Sequence, residues 1–336
     1  MSIEIIDADD PDREMLVRFI IETRENHWSP QQIHDFVEWR YFGREHSVPV
    51  MAVRDGQCLA FVDSQVRHYF LGANTIPLQE SSEWFCMPKY RPIGLGIRVM
   101  QKLMERETPI ISVRGTVASQ QLVQKLGWRK IRPVYLFSKM VNWKSRVRDH
   151  WRRLSDTNRG SELTVVNEAP GGEHPPPDDV ASDCLKTRLE TWEIRWFDAA
   201  PDFIGKFHWL RFYLDDSCCG FALVRIYQGA EYRRSQIVHL ESTTDDRWTN
   251  LAIVEKTSGF LAKSGALRIM ARASSPAVCR AYEDAGFVND GPQPGFLWDR
   301  ERSLPTDSDT DLSYLRGDDS IRPFSHQANA SQTWNE

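Results

Sequence analysis

The sequence predicts an α/β protein built on an open sheet of mixed direction. Three observations carry this. Apolar segments of period two alternate with segments of period 3.6, a hairpin signal sits inside the first half, and a Gly-aromatic closure occurs twice, as KLGW at 125–128 and DAGF at 284–287. With 336 residues, 41% of them hydrophobic and 26% charged, the chain is long enough for two globular domains.

IEIID at 3–7 reads as an opening strand. Residues 12–42 read as helices interrupted at HWSP, where Ser29 caps and Pro30 starts the second helix. Trp39 and Tyr41 are expected in the core. MAVRDGQCLAFVDSQV gives two apolar runs around Asp55-Gly56, a hairpin signal, and SSEWFCM is the next strand. A helix over 95–106 places Ile97, Met100, Leu103 and Met104 on one face. PIISV follows as a strand, VASQQLVQKLGW as a helix closed by Gly127, and PVYLFSKMV as a last strand.

Between 142 and 190 the composition changes. WKSRVRDHWRRL places Trp143, Val147, Trp151 and Leu154 on one helical face among basic residues, and EAPGGEHPPPDD is a breaker, so this span reads as a basic helix and a Pro/Gly-rich linker. From 191 strands are expected at WEIRWF, HWLRFYL, CGFALVRIY and QIVHLES, then a helix over 248–263, the strand LRIMARA, the helix AVCRAYEDAGF and a short apolar end at GFLWD. The interval from Cys86 to Gly127 resembles that from Leu240 to Gly286, which marks a degenerate internal repeat. The polar tail from 303 is expected to be disordered.

The formal net charge of -5 argues against a nucleic-acid partner. The six cysteines show no Cys-x-x-Cys pairing and the histidines do not cluster with them, so no metal site is expected. No apolar run of 18 residues predicts a transmembrane segment, and the cytoplasm is the expected location.

The chemistry concentrates in MPKYRPIGLGIRVM at 87–100. Gly94 and Gly96 fall where a strand gives way to the 95–106 helix, whose first N–H groups lack intrahelical partners and carry the positive end of the dipole. An anion fits there. Glycines let a phosphate approach the main chain, and Pro92 stiffens the loop. Val99 stands where a dinucleotide fingerprint needs its third glycine, and Gly-Lys-Ser/Thr is absent, so two familiar phosphate loops are excluded. An ordinary glycine-bearing turn accounts for a lone Gly-x-Gly equally well.

Order and spacing narrow the choice. A strand, Pro88, Tyr90, Arg91-x-x-Gly94-x-Gly96, a helix, a strand and a second helix ending in Leu126-Gly127-Trp128 together resemble the GNAT N-acetyltransferase superfamily. The resemblance covers residues 1–141. It implies two tandem GNAT-like units, each a mixed, mostly antiparallel open sheet flanked by helices: a GNAT domain at 1–141, the linker at 142–190, a degenerate GNAT-like domain at 191–302 and the tail at 303–336.

By the same resemblance, the loop Arg91, Pro92, Ile93, Gly94, Leu95 and Gly96 would hold the acyl-coenzyme A pyrophosphate through its backbone N–H groups. The main chain at Cys86 and Met87 would pair with the pantetheine arm. Acetyl-coenzyme A is the implied co-substrate and a small amine the implied acceptor: an amino sugar, an amino acid or similar. An ammonium has no lone pair, so a base is needed, and Glu83 and Glu80 are the nearest carboxylates. Three apart, they would face opposite sides of a regular strand, which leaves one inward; Glu83 is preferred. A solvated surface role suits either equally well.

Val123 stands where many members carry a tyrosine that protonates the leaving thiolate, and Thr116 where asparagine is frequent, so another acid or solvent must serve, or the enzyme is a weak one. In the second half Tyr282 stands four before Gly286, and packing is its expected role. TTDDRWTNLA has no glycine there, and Asp245 and Asp246 would repel a pyrophosphate. The expected function is therefore N-acetyl transfer by the first unit, with a non-catalytic module that binds or senses coenzyme A as the alternative. Arg114, Arg129 and Lys130 are candidates for meeting an acidic acceptor, or simply a solvated face.

Overall fold

The computed structural model of the chain describes residues 2–8, 12–23, 28–44, 47–71, 74–141, 163–167, 185–187, 190–227, 234–244 and 246–304. The expected basic helix with Trp143, Val147, Trp151 and Leu154, and the tail beyond 304, lie outside the described residues.

β1 (Glu4–Asp7) runs antiparallel to β2 (Val50–Arg54). Between them come α1 (Arg13–Thr23) and α2 (Pro30–Val37), and α2 starts where the sequence places it. Ser29 Oγ accepts from the Gln32 amide at 3.2 Å, and the Gln32 side chain accepts from the Ser29 amide at 2.9 Å, a reciprocal capping box with Pro30 in the first turn. α2 then runs into a π turn, Glu38–Phe42. β2 and β3 (Gln57–Leu71) join through Asp55 and Gly56, at φ 53° and 72°, the left-handed pair that a tight hairpin requires. β4 (Asn74–Cys86), α3 (Leu95–Met104), β5 (Ile110–Val113), α4 (Val117–Lys125) and β6 (Arg129–Met140) complete the first half.

The second half departs from expectation in three places. WEIRWF is a helix, α5 (Thr191–Asp198), rather than a strand. Its alternating Trp192, Ile194 and Trp196 imitate period two, but Glu193 and Phe197 are buried as well, and the Glu190–Glu193 capping box starts a helix that is apolar on most sides. β7 (Thr164–Asn167) and β8 (Leu185–Thr187) lie within the span read as linker; β7 pairs with β9 (Lys206–Leu214) and β8 with β3. GFLWD is the end of an 11-residue strand, β13 (Val288–Trp298). Pro292 and Pro294 disguise it in the sequence, and register shifts between Asn289 and Gly291 and between Gln293 and Gly295 let the sheet accept them. The remaining elements, β10 (Ser217–Ile226), β11 (Arg234–Ser242), α6 (Arg247–Lys263), β12 (Arg268–Ala273) and α7 (Pro276–Asp284), agree with the reading.

The strands form one sheet in the order β1-β2-β3-β4-β5-β13-β6-β12-β11-β10-β9-β7, with β8 beside β3. Pairing is antiparallel except β4 with β5 and β11 with β12, which occupy corresponding places in the two halves. The closing strands are exchanged. β5 pairs with β13 and β12 with β6, while β6 and β13 pair with each other at the centre. One hydrophobic cluster therefore draws on both halves, with Phe19, Phe36, Trp39, Tyr41 and Phe61 meeting Trp192, Trp196, Phe197 and Trp209. Another seats Phe296 of β13 against Leu95, Val99 and Leu103 of α3. Among the described residues no helix is long and apolar enough to cross a membrane.

Candidate functional site

The two glycines of the 87–100 loop have different work. Gly94 caps α3 at φ 73°, and a Cβ built on it meets nothing within 4 Å, so its main chain is open to a bulky group. Gly96 is closed in: a Cβ there would stand 3.2 Å from the Cys86 Cβ and 3.5 Å from the Trp84 Nε1, and the Trp84 indole donates to the Gly96 carbonyl at 2.9 Å. Its missing side chain lets α3 lie close on β4. Of the two glycines expected to clear room for a phosphate, Gly94 alone has open space beside it, and Gly96 does not.

Local hydrogen bonds also narrow the expected cradle. The Arg91 amide donates to the Pro88 carbonyl at 3.2 Å, the Gly94 amide to the Arg91 carbonyl at 2.9 Å, and Pro92 has no N–H. Leu95, Gly96 and Ile97 are the first helical residues, whose amides have no acceptor within a helix. Ile93 is 60% exposed at the turn. The Met87 amide belongs to the β3 ladder, donating to the Leu59 carbonyl at 3.0 Å, and so does not face the opposite edge. Arg91 Nε donates to the Cys86 carbonyl at 3.0 Å, and its guanidinium lies 5.7 Å from the Phe85 ring centroid, which ties the loop to the end of β4. Burial pushes the Cys86 thiol up.

β4 and β5 part company beside this loop. Their parallel pairing is Gln79 with Ile110 and Glu80 with Ile111, after which β5 continues along β13. Among the described residues, β4 from Ser82 to Cys86 therefore has a strand partner on its β3 side alone. A bulge marks the divergence: Asp63 pairs with Ser82 and Phe61 with Phe85, so Glu83 and Trp84 stand together opposite Val62, and Glu83 takes φ 46°. This bulge overturns the expectation that Glu80 and Glu83 face opposite sides. Both reach the α2 and α5 side of the sheet, Glu83 to Tyr41 and Glu80 to Arg67.

The two carboxylates are differently placed there. Glu80 is 4% exposed, pairs with Arg67 Nη1 at 2.9 Å and accepts from the Tyr69 hydroxyl. Arg67 Nη2 lies 2.6 Å from the Glu193 Oε1 of α5, whose carboxyl is pushed up to about 7, chiefly by burial. Glu83 is half-buried and accepts from the Tyr41 hydroxyl. Beside them Arg44 bonds Asp63 at 2.9 Å and Gln65 at 2.5 Å, and the Ser82 hydroxyl donates to Asp63. Sequence reasoning missed this row. Its signal was present: Asp63, Gln65 and Arg67 recur at period two inside an apolar strand.

No family model matches the chain, and no curated protein matches it by sequence. Solved structures do. A GCN5-related N-acetyltransferase from Anabaena variabilis superposes with a TM-score of 0.59 at 11% identity, over 88% of this chain and 72% of that one. A tandem GNAT protein from the clavulanic acid biosynthesis pathway superposes with a TM-score of 0.53 at 9% identity, over 88% of this chain and 98% of that one. The chain has the tandem GNAT fold. N-myristoyltransferase of Saccharomyces cerevisiae with bound myristoyl-CoA is also similar, with a TM-score of 0.52, 11% identity, and 89% and 83% of the two chains covered.

In this tandem GNAT fold the second half repeats the first without its loop. Ser242 pairs with Gly220 as Cys86 pairs with Ala60, and the Thr243 amide donates to the Cys219 carbonyl as Met87 does to Leu59. Four residues then join β11 to α6 where eight join β4 to α3. Asp246 caps α6 in the place of Gly94 and accepts from the Thr249 amide at 2.8 Å, a backbone bond that holds its carboxyl below the usual range. The helix end thus carries an anion of its own. Asp245 lies outside the described residues.

Tyr282 packs between Phe137 and Phe287 at 1% exposure, and burial pushes its phenol up. Val123 is 5% exposed in the core beneath α3 and supplies no hydroxyl. Thr116 caps α4. Arg129 is bound to Asp299 at 3.3 Å, and Arg114 takes φ 76° at the end of β5.

Proposed function

We propose that the chain is an acyl-coenzyme A-dependent N-acyltransferase whose donor site lies in the first half. The observation that carries this is the coincidence of three features: the open left-handed turn at Gly94, the first-turn amides of α3, and the edge of β4 where β5 diverges. A diphosphate placed at Gly94 meets the amides of Leu95, Gly96 and Ile97 and the helix dipole. An extended pantetheine arm runs along β4 beside Cys86, toward Glu83. The acyl donor is acetyl-coenzyme A and the acceptor a small amine, such as an amino sugar or an amino acid. The domain division is 1–141 and 191–302, with the second half lending β13 to the first.

Transfer needs a neutral amine. Glu83 is the group in reach: half-buried on a bulge beside the diverging strands, it takes the ammonium proton. The neutral amine then attacks the thioester carbonyl, the nitrogen giving up its second proton to solvent as the C–S bond breaks. Glu80, enclosed with Arg67 and Tyr69, holds the strands together instead. The thiolate takes its proton from solvent, because Val123 offers none.

The test is thiol release from acetyl- and longer acyl-coenzyme A against a panel of amines. Release that depends on an amine and falls about 100-fold in Glu83→Gln supports transfer. Tight coenzyme A binding with no release on any amine supports the non-catalytic module, the reading favoured by Val123.

A further inference from the structure

The second half has no loop like that at 87–100, yet it meets the first half directly behind Glu83. α2 ends in the π turn Glu38–Phe42, a form of helix that places one residue out of phase and recurs at functional sites. That turn carries Trp39 inward to Trp196 of α5 and Tyr41 inward to Glu83 of β4. The two indoles stack at 4.4 Å, and each N–H donates at 2.7 Å to the other's main-chain carbonyl, so the turn is fixed by side-chain-to-main-chain bonds with the second half. Tyr41 is fully buried, with Phe36 and Phe61 edge-on to its ring at 5.9 Å and 5.8 Å. Its hydroxyl has little freedom to aim elsewhere. Glu83 sits at φ 46°, a backbone conformation that a glutamate adopts only when its surroundings hold it.

We propose that Tyr41 is a positioning residue for the Glu83 carboxylate, and that the second half takes part in the reaction by holding Tyr41 through the Trp39–Trp196 pair. This rests on the acyltransferase reading and on Glu83 as the base within it. Tyr41 does not touch substrate. Its hydroxyl donates to the carboxylate and so fixes the plane in which it lies. The ammonium proton moves to Glu83 and returns to solvent, so the tyrosine gains and loses nothing. A carboxylate turned about 1 Å from the amine would cost roughly 100-fold in rate, which is the scale of effect a positioning group can have.

Full-length Tyr41→Phe tests the inference, with Trp196→Phe as the variant acting from the second half and Glu83→Gln as the reference. Expected are coenzyme A affinity and KM for the donor within twofold of wild type, with kcat lowered about 10- to 100-fold in Tyr41→Phe and less in Trp196→Phe. Combining Tyr41→Phe with Glu83→Gln is expected to cost no more than Glu83→Gln alone, because the hydroxyl acts through that carboxylate; a purely structural loss would multiply instead. Unchanged kcat in Tyr41→Phe, or losses that multiply, overturns the inference and leaves the acyltransferase reading intact. A wild-type chain that releases no thiol with any amine overturns both.

Discussion

Trp39 and Trp196, 157 residues apart, stack with their rings 7° from parallel and exchange indole-to-carbonyl hydrogen bonds of 2.7 Å in both directions. The relationship is reciprocal. Each indole satisfies a buried carbonyl of the other half, so neither half presents a finished surface without its counterpart.

Replacing either tryptophan with phenylalanine leaves one carbonyl without its donor and a small void. Each single change is expected to cost about 1–3 kcal/mol, and the pair less than the sum. Urea denaturation of the four proteins measures this. Because the central strands are exchanged, a single transition is expected throughout.

Phe296, close to the end of the second half, is 1% exposed in the core under α3. Phe296→Ala is expected to cost about 3–5 kcal/mol and to weaken coenzyme A binding, although the residue lies about 200 positions from the loop. Denaturation and calorimetry on the same variant check both effects.

Glu193 gives a pH dependence of definite sign. Burial raises its carboxyl from 4.5 to about 7, against the opposing pull of Arg67, with Glu80 and Glu190 adding to the rise. Between those values the folded chain holds a proton that the unfolded chain has released, so this contribution is full below 4.5 and lost as pH rises through about 7. The melting temperature of wild type minus that of Glu193→Gln is expected to decline from pH 5 to pH 8. A constant difference would count against a raised carboxyl.

The glycines separate by variant. Gly94→Ala forces an L-residue to φ 73° and is expected to cost about 1–2 kcal/mol. It narrows the main-chain approach, so coenzyme A binding weakens as well. Gly96→Ala presses on Cys86 at 3.2 Å, and any loss of affinity comes through a displaced α3, visible as hydrogen exchange along the helix.

Much of this was legible in sequence. Ser29-Pro30, Asp55-Gly56 and Gly127 fix local geometry by their own chemistry, and the structure keeps each. The site was read less completely because its decisive features are tertiary. The Glu83 bulge depends on Val62 across the ladder, and regular alternation gave the wrong side for one carboxylate. WEIRWF is too short for periodicity to separate strand from helix, so α5 was misread. Nothing local in GPQPGFLW announces that the last strand lies between β5 and β6.

The central claim is that the turn at Gly94 and the first amides of α3 grip the diphosphate of a coenzyme A thioester. Calorimetric titration of the full chain with coenzyme A, repeated with its adenosine diphosphate half as competitor, tests it most directly. One coenzyme A per chain, displaced by the competitor and weakened about tenfold or more by Gly94→Ala, is the predicted result. No heat at millimolar ligand, or binding indifferent to Gly94, would contradict it.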